Sequence, residues 1–130
     1  QRPHRLNQEA GLTPPSGFGD DARLKERREF RQVFQSGKKI VGRSLILWHR
    51  VDAAEREPRL GLSVSAKVGN AIRRNRLKRL LRETFRLRRS ELRPGVEMVA
   101  YPRSGCPWKG RADAERDILD LWRKAGLLRT

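Results

Sequence analysis

From Gly69 to Arg89 the chain reads GNAIRRNRLKRLLRETFRLRR, with nine Lys or Arg side chains and a single acid, Glu83. Cations at this density do one kind of chemistry well. They hold a polyanion through charge-assisted hydrogen bonds to phosphate oxygens and release its condensed counterions. Leucines recur through the same stretch at helical intervals. On a wheel of about 100° per residue, Leu77, Leu80, Leu81, Thr84 and Leu87 fall on one side. Asn75, Lys78, Arg79, Arg82, Arg86 and Arg89 fall opposite, with Phe85 and Arg74 on the flank. The pattern predicts a helix whose leucine face packs on a sheet while its arginine face stays in water. Like charges three and four apart repel by a few tenths of a kcal/mol per pair. Burial of the leucines, at roughly 1.5–3 kcal/mol each, must offset that. Asn70 is placed to cap the helix. Lys67, Gly69 and the first free backbone N–H groups make the preceding turn attractive to phosphate, together with Arg73, Arg74 and Arg76.

Other chemistry is harder to build from this chain. Hydrolysis by a protein site calls for carboxylates grouped around metals or a placed general base. The two histidines, His4 and His49, lie in an irregular leading segment and in a strand. Asp113, Glu115, Asp117 and Asp120 alternate with Arg116, Arg123 and Lys124, which reads as surface ion pairing. Cys106 is the one cysteine, so it forms neither an internal disulfide nor a zinc site, and a reducing, cytoplasmic setting is expected. No catalytic residue and no protein-held metal is expected.

The whole chain carries the same bias as the basic run. Its 130 residues hold 31 Lys plus Arg against 15 acids, a net charge of +16, and the sequence pI is about 11.5. Such a chain repels itself until a polyanion is present. An anionic membrane surface competes as partner, but the leucines are needed indoors, and no apolar run of about 18 residues is available to cross a bilayer. DNA reading through a basic helix would want a zipper or paired half-sites, and no heptads follow. RNA fits better, being recognised by shape, phosphate contacts and stacking of unpaired bases on aromatics. Phe30, Phe34 and Trp48 are the stacking candidates, with a place in the core as the alternative for each.

The elements that must position these residues follow from periodicity. Residues 1–20, rich in Pro and Gly, form an expected flexible arm, and residues 21–130 a single domain. Asp20 and Asp21 are candidate caps for a helix from Lys25 to Ser36, ended by Gly37. Arg43–Val51 and Arg59–Ser65 alternate as strands and are expected to pair as a hairpin. In the first, Leu45, Leu47, His49 and Val51 point one way and Ile46, Trp48 and Arg50 the other. In the second, Leu60, Leu62 and Val64 face a core, with Arg59, Gly61, Ser63 and Ser65 turned away. The basic helix comes next, then a strand at Val96–Tyr101 and a last helix at Ala112–Ala125 carrying Ile118, Leu121, Trp122 and Ala125 on one stripe. The fold class is α+β: three helices on a small sheet of three to four strands, in the order helix, strands, helix, strand, helix.

The stretch RLGLSVSAKVGNAIRRNRLKRLLRETFR, Arg59–Arg86, closely resembles the bacterial ribonuclease P protein subunit. The hallmark is Arg74-Asn75-Arg76 continued by Lys78, Arg79, Arg82 and Glu83, and the likeness covers roughly residues 24–128. Ala66 departs from it, standing where many members carry a second lysine beside Lys67. The resemblance implies a left-handed βαβ crossover through the basic helix, in a fold like the second domain of a small-subunit ribosomal protein. It implies a partnership with a catalytic RNA that removes the 5′ leader of precursor tRNA by phosphodiester hydrolysis. Mg²⁺ would be held mainly by the RNA, and one protein copy would serve the holoenzyme without membrane or DNA partners. Lys67, Arg73, Arg74, Asn75, Arg76, Lys78, Arg79, Arg82 and Arg86 would meet the RNA subunit. Phe30, Phe34, Ile46, Trp48 and Ser63 would line a cleft for the single-stranded leader, between the first helix and the sheet.

Overall fold

The computed structural model describes residue 24 and residues 27–129; the expected arm at residues 1–20, the caps Asp20 and Asp21 and the helix start at Lys25 lie outside the described residues. Helix α1 spans Arg27–Ser36 and ends where Gly37 N–H donates to Val33 O at 2.9 Å. Strands β1 (Lys38–Val41), β2 (Leu45–Val51) and β3 (Arg59–Leu62) follow, then the basic helix α2 (Ala71–Arg88), strand β4 (Val96–Pro102) and helix α3 (Arg111–Lys124).

The sheet order is β1-β2-β4-β3. This corrects the expected hairpin between the Arg43–Val51 and Arg59–Ser65 runs. The hairpin is instead β1–β2, closed by Gly42 N–H donating to Leu45 O at 2.8 Å, with Val41 opposite Ile46. Strand β4 then inserts between β2 and β3, antiparallel to β2 and parallel to β3, so that Arg59 lies opposite Glu97 and Leu62 opposite Ala100. The β3–α2–β4 unit therefore joins two adjacent parallel strands through the basic helix.

Both faces of the sheet are covered. On one, Leu45, Leu47, Leu60, Leu62, Met98 and Ala100 pack with Leu77, Leu81 and Phe85 of α2 and Ile118, Leu121 and Trp122 of α3. On the other, α1 lays Phe30 and Val33 over Val99, with Leu24 beside them. Thus Arg59, Gly61 and Ser63, expected to face away from a core, are buried, with Phe30 of α1 over Gly61 and Glu29 of α1 on Arg59. The wheel needs a matching correction at the end of α2. Phe85 is buried and Leu87 is 42% exposed, because α3 packs on the flank of α2 and sets Trp122 edge-on to Phe85 at 6.2 Å between centroids.

A line of charges ties α1 to the sheet. Glu97 on β4 accepts from Arg50 on β2 at 2.9 Å and from Arg59 on β3 at 3.2 Å, and Arg59 also reaches Glu29 on α1. Glu97 and Arg59 are both buried. Arg59 thus shares two carboxylates in a low-dielectric place, and of these bonds the one to Glu29 joins α1 to the sheet.

Candidate RNA-binding surface

Helix α2 starts as its sequence requires. Asn70 Oδ1 accepts Arg73 N–H at 2.9 Å, and Ser65 Oγ accepts Lys67 N–H at 3.1 Å to close the 3₁₀ turn Ala66–Val68. Lys67 is therefore held on an ordered, exposed turn immediately before the helix. Leu77, Leu80, Leu81, Thr84 and Phe85 are buried, and Thr84 Oγ1 donates its proton to Leu80 O at 2.9 Å. The helix cannot rotate about its axis without exposing these residues. Its charged face is thereby fixed outward.

Along that face Asn75, Arg76, Arg79 and Arg86 are exposed, while Arg74, Lys78 and Arg82 are half-buried. Arg74 Nε is buried with no hydrogen-bond partner among the described residues. The C-terminal end is compensated by acids. Arg86 pairs with Glu83 at 3.1 Å and Arg89 with Glu57 at 3.2 Å. Arg88 reaches Glu115 at 3.2 Å and Glu91 at 2.8 Å. These hydrogen bonds, to Glu115 first, push the Arg88 pKa further up, and Arg88 in turn pulls the Glu115 carboxyl below its ordinary value.

Two of the motif cations, Arg73 and Arg76, reach a neighbouring loop, and Arg73 does so with two hydrogen bonds. Its guanidinium turns onto the loop between β4 and α3, donating to Trp108 O at 3.1 Å and Cys106 O at 2.6 Å. Arg76 likewise donates to Lys109 O. Spacing alone gives no sign of this, because the carbonyl partners of Arg73 lie 33 and 35 residues further along the chain.

The second group of expected residues divides by burial. Phe34, Ile46 and Trp48 are half-buried, and Trp48 is edge-on to Phe34 at 5.0 Å. Phe30 is 2% and Ser63 6% exposed, so both lie beneath this surface. Two residues that sequence reasoning missed complete it. Tyr101 is edge-on to Trp48 at 6.0 Å, and Lys39 sets its Nζ 5.5 Å from the Trp48 ring centroid. Alternation along β4 from Val99 could have found Tyr101. Lys39 required recognising β1. A half-buried ring with a cation beside it offers an unpaired base both stacking area and a phosphate partner.

Three acids of α3 are engaged by donors of the protein itself. Asp113 accepts Lys109 N–H at 2.9 Å, a hydrogen bond that chiefly holds its pKa low, and Asp120 is kept low by Lys124 first and then Arg123. Asp117 accepts Trp108 Nε1–H at 2.7 Å. Among the described residues no group of three or more His, Cys, Asp or Glu could hold a metal ion. Nor is any helix among them long and apolar enough to cross a membrane.

Comparison with known proteins adds an independent line. The Ribonuclease P family model matches residues 18–126. The ribonuclease P protein component of Clostridium acetobutylicum is 38% identical over 107 residues, covering 82% of this chain and 90% of that protein. That of Bacillus cereus is 32% identical over 107 residues, covering 82% and 93%. The solved RNase P protein of Thermotoga maritima superposes with a TM-score of 0.70 at 30% identity, covering 78% of this chain and 96% of that one. The Staphylococcus aureus RNase P protein, at 23% identity, shares the fold with a TM-score of 0.75 over 83% of this chain and 98% of its own. A split-faced basic helix between parallel strands, in a chain matched over most of its length, places the protein: it belongs to the bacterial ribonuclease P protein family.

Proposed function

We propose that this chain is the protein subunit of a cytoplasmic ribonuclease P, in which a catalytic RNA removes the 5′ leader of precursor tRNA by phosphodiester hydrolysis. The observation that carries this reading is the locked helix α2, with its leucines and Phe85 in the core and the motif cations on its outer face. Lys67, Arg74, Asn75, Arg76, Lys78, Arg79, Arg82 and Arg86 meet the RNA subunit, mostly through phosphates. Arg73 contributes by holding the adjoining loop. Phe34, Ile46 and Trp48, over a floor that includes Phe30 and Ser63, receive the single-stranded leader. Stacking there tolerates any base, which suits substrates whose leaders differ.

The chemistry belongs to the RNA and its Mg²⁺; the protein binds, positions and neutralises. The carboxylates of α3 are engaged by Arg, Lys and Trp donors, which supports leaving the metal to the RNA partner. Reconstitution tests the reading. Adding this chain to a ribonuclease P RNA and precursor tRNA at low Mg²⁺ is expected to accelerate leader removal severalfold or more. RNA binding with no change in cleavage would instead make it a structural, ribosomal-type RNA-binding protein.

A further inference from the structure

We propose that the loop between β4 and α3 is a second element of the surface that meets the RNA subunit, with Lys109 as a phosphate contact and Arg73 as the residue that positions it. The inference deepens the reading just given and rests on it. The loop follows β4 and carries Arg103-Ser104-Gly105-Cys106-Pro107-Trp108-Lys109-Gly110. It is anchored from three sides. Cys106 N–H donates to Arg103 O at 2.9 Å within the loop. Trp108, fully buried, donates its indole N–H to Asp117 at 2.7 Å, and Lys109 N–H donates to Asp113 at 2.9 Å, both on α3. From α2, Arg73 takes the carbonyls of Cys106 and Trp108, and Arg76 takes that of Lys109.

The consequence is electrostatic as well as mechanical. Three carbonyl oxygens beside the first turns of α2 would otherwise turn negative dipole ends toward an approaching polyanion. Two guanidinium groups cover them. Lys109 is left exposed on a loop whose backbone is fixed to the N-terminal half of α2, which also carries Asn75 and Arg79. The carboxylates of α3 carry other donors, and of them Asp113, which accepts the Lys109 backbone N–H, also feels the Lys109 charge. Asp113 is held by Lys109 N–H and Arg116, Asp117 by Trp108 and Arg116, and Glu115 by Arg88. An ammonium held this way continues the basic face beyond the helix. Continuity with that face assigns its partner to the RNA subunit rather than to the precursor.

The assignment is tested by measuring affinity for ribonuclease P RNA across a salt series, using the full chain. Lys109→Ala is expected to weaken binding about fivefold at ~0.1 M salt and to remove about 0.7–0.9 unit of log–log slope. Arg73→Lys keeps the charge but cannot fork onto two carbonyls. It should reproduce most of the Lys109→Ala loss, and adding Lys109→Ala to it should lose little more. Thermal midpoints confirm that each variant is folded. Lys109→Ala with unchanged affinity and slope, while Arg79→Ala with Arg82→Ala lowers both, overturns this proposal and leaves the proposed function standing. Equal Lys109→Ala losses in the wild-type and Arg73→Lys backgrounds would remove Arg73 from the positioning role. Normal binding of the RNA subunit, with a loss confined to precursor tRNA in the assembled complex, would move Lys109 to the substrate side and also overturn it. If all these variants bind the RNA subunit like wild type, the functional reading itself has failed.

Discussion

Phe30 of α1 lies directly over Gly61 of β3: a Cβ at Gly61 would stand 2.7 Å from Phe30 Cζ and 2.9 Å from Cε2. The absent side chain is what lets α1 rest on the sheet. Gly61→Val should lift α1, destabilising the fold by about 1–3 kcal/mol through overpacking, and should loosen the surface around Phe34 and Trp48. Urea unfolding and precursor tRNA binding check the two effects together. Stability unchanged by the substitution would mean that α1 is not seated by this contact.

The buried charges beside that contact make a second prediction. Glu97→Gln removes the carboxylate that Arg59 and Arg50 share, but Arg59 keeps Glu29 and Arg50 keeps Asp52. A loss of about 1–3 kcal/mol is therefore expected, short of a fully uncompensated pair. A loss below about 0.5 kcal/mol in urea unfolding would fit a surface pair instead.

Trp48 allows a test of the aromatic surface. Trp48→Ala removes the ring that Phe34, Tyr101 and Lys39 surround. Binding of precursor tRNA to the assembled enzyme should weaken by about 1–3 kcal/mol, and binding of mature tRNA much less. Equal losses would take Trp48 out of the leader site.

His49 supplies a pH dependence. It sits on the core side of β2, and burial, followed by the charge of Lys38, lowers its pKa below the ordinary 6.5. The folded protein then binds this proton less readily than the unfolded chain. The stability that a neutral His49 allows is therefore full above about pH 6.5. It is lost as pH falls below that value, levelling off beneath the folded pKa. The urea midpoint should drop between about pH 7.5 and pH 5.5 in the wild type and drop less in His49→Gln. Equal drops would assign the effect to other groups.

The residues that sequence reasoning places well are those whose signals are local. Asn70 caps α2, Gly37 follows α1, and the alternation of Leu45, Leu47 and His49 against Ile46, Trp48 and Arg50 matches the burial of β2. What escapes it depends on distant partners. Strand β1 is four residues long with Lys38 and Lys39 on an open edge, so it carries little apolar pattern. The pairing of β3 with β4 spans the whole of α2, and no short-range feature announces it. A helical wheel sets Phe85 on the flank because it assumes one packing partner, and α2 has two. Arg73 resembles its neighbours in type, but its carbonyl partners at Cys106 and Trp108 are brought to it only by the fold.

The central claim is that the outward face of α2 binds RNA phosphates while its inward face holds the fold. Arg79→Ala with Arg82→Ala tests it most directly, read as the salt dependence of affinity for ribonuclease P RNA. The account predicts weaker binding and a slope reduced by about 0.7–0.9 for each phosphate no longer neutralised, in a variant that still folds. An unaltered slope with full affinity would contradict it.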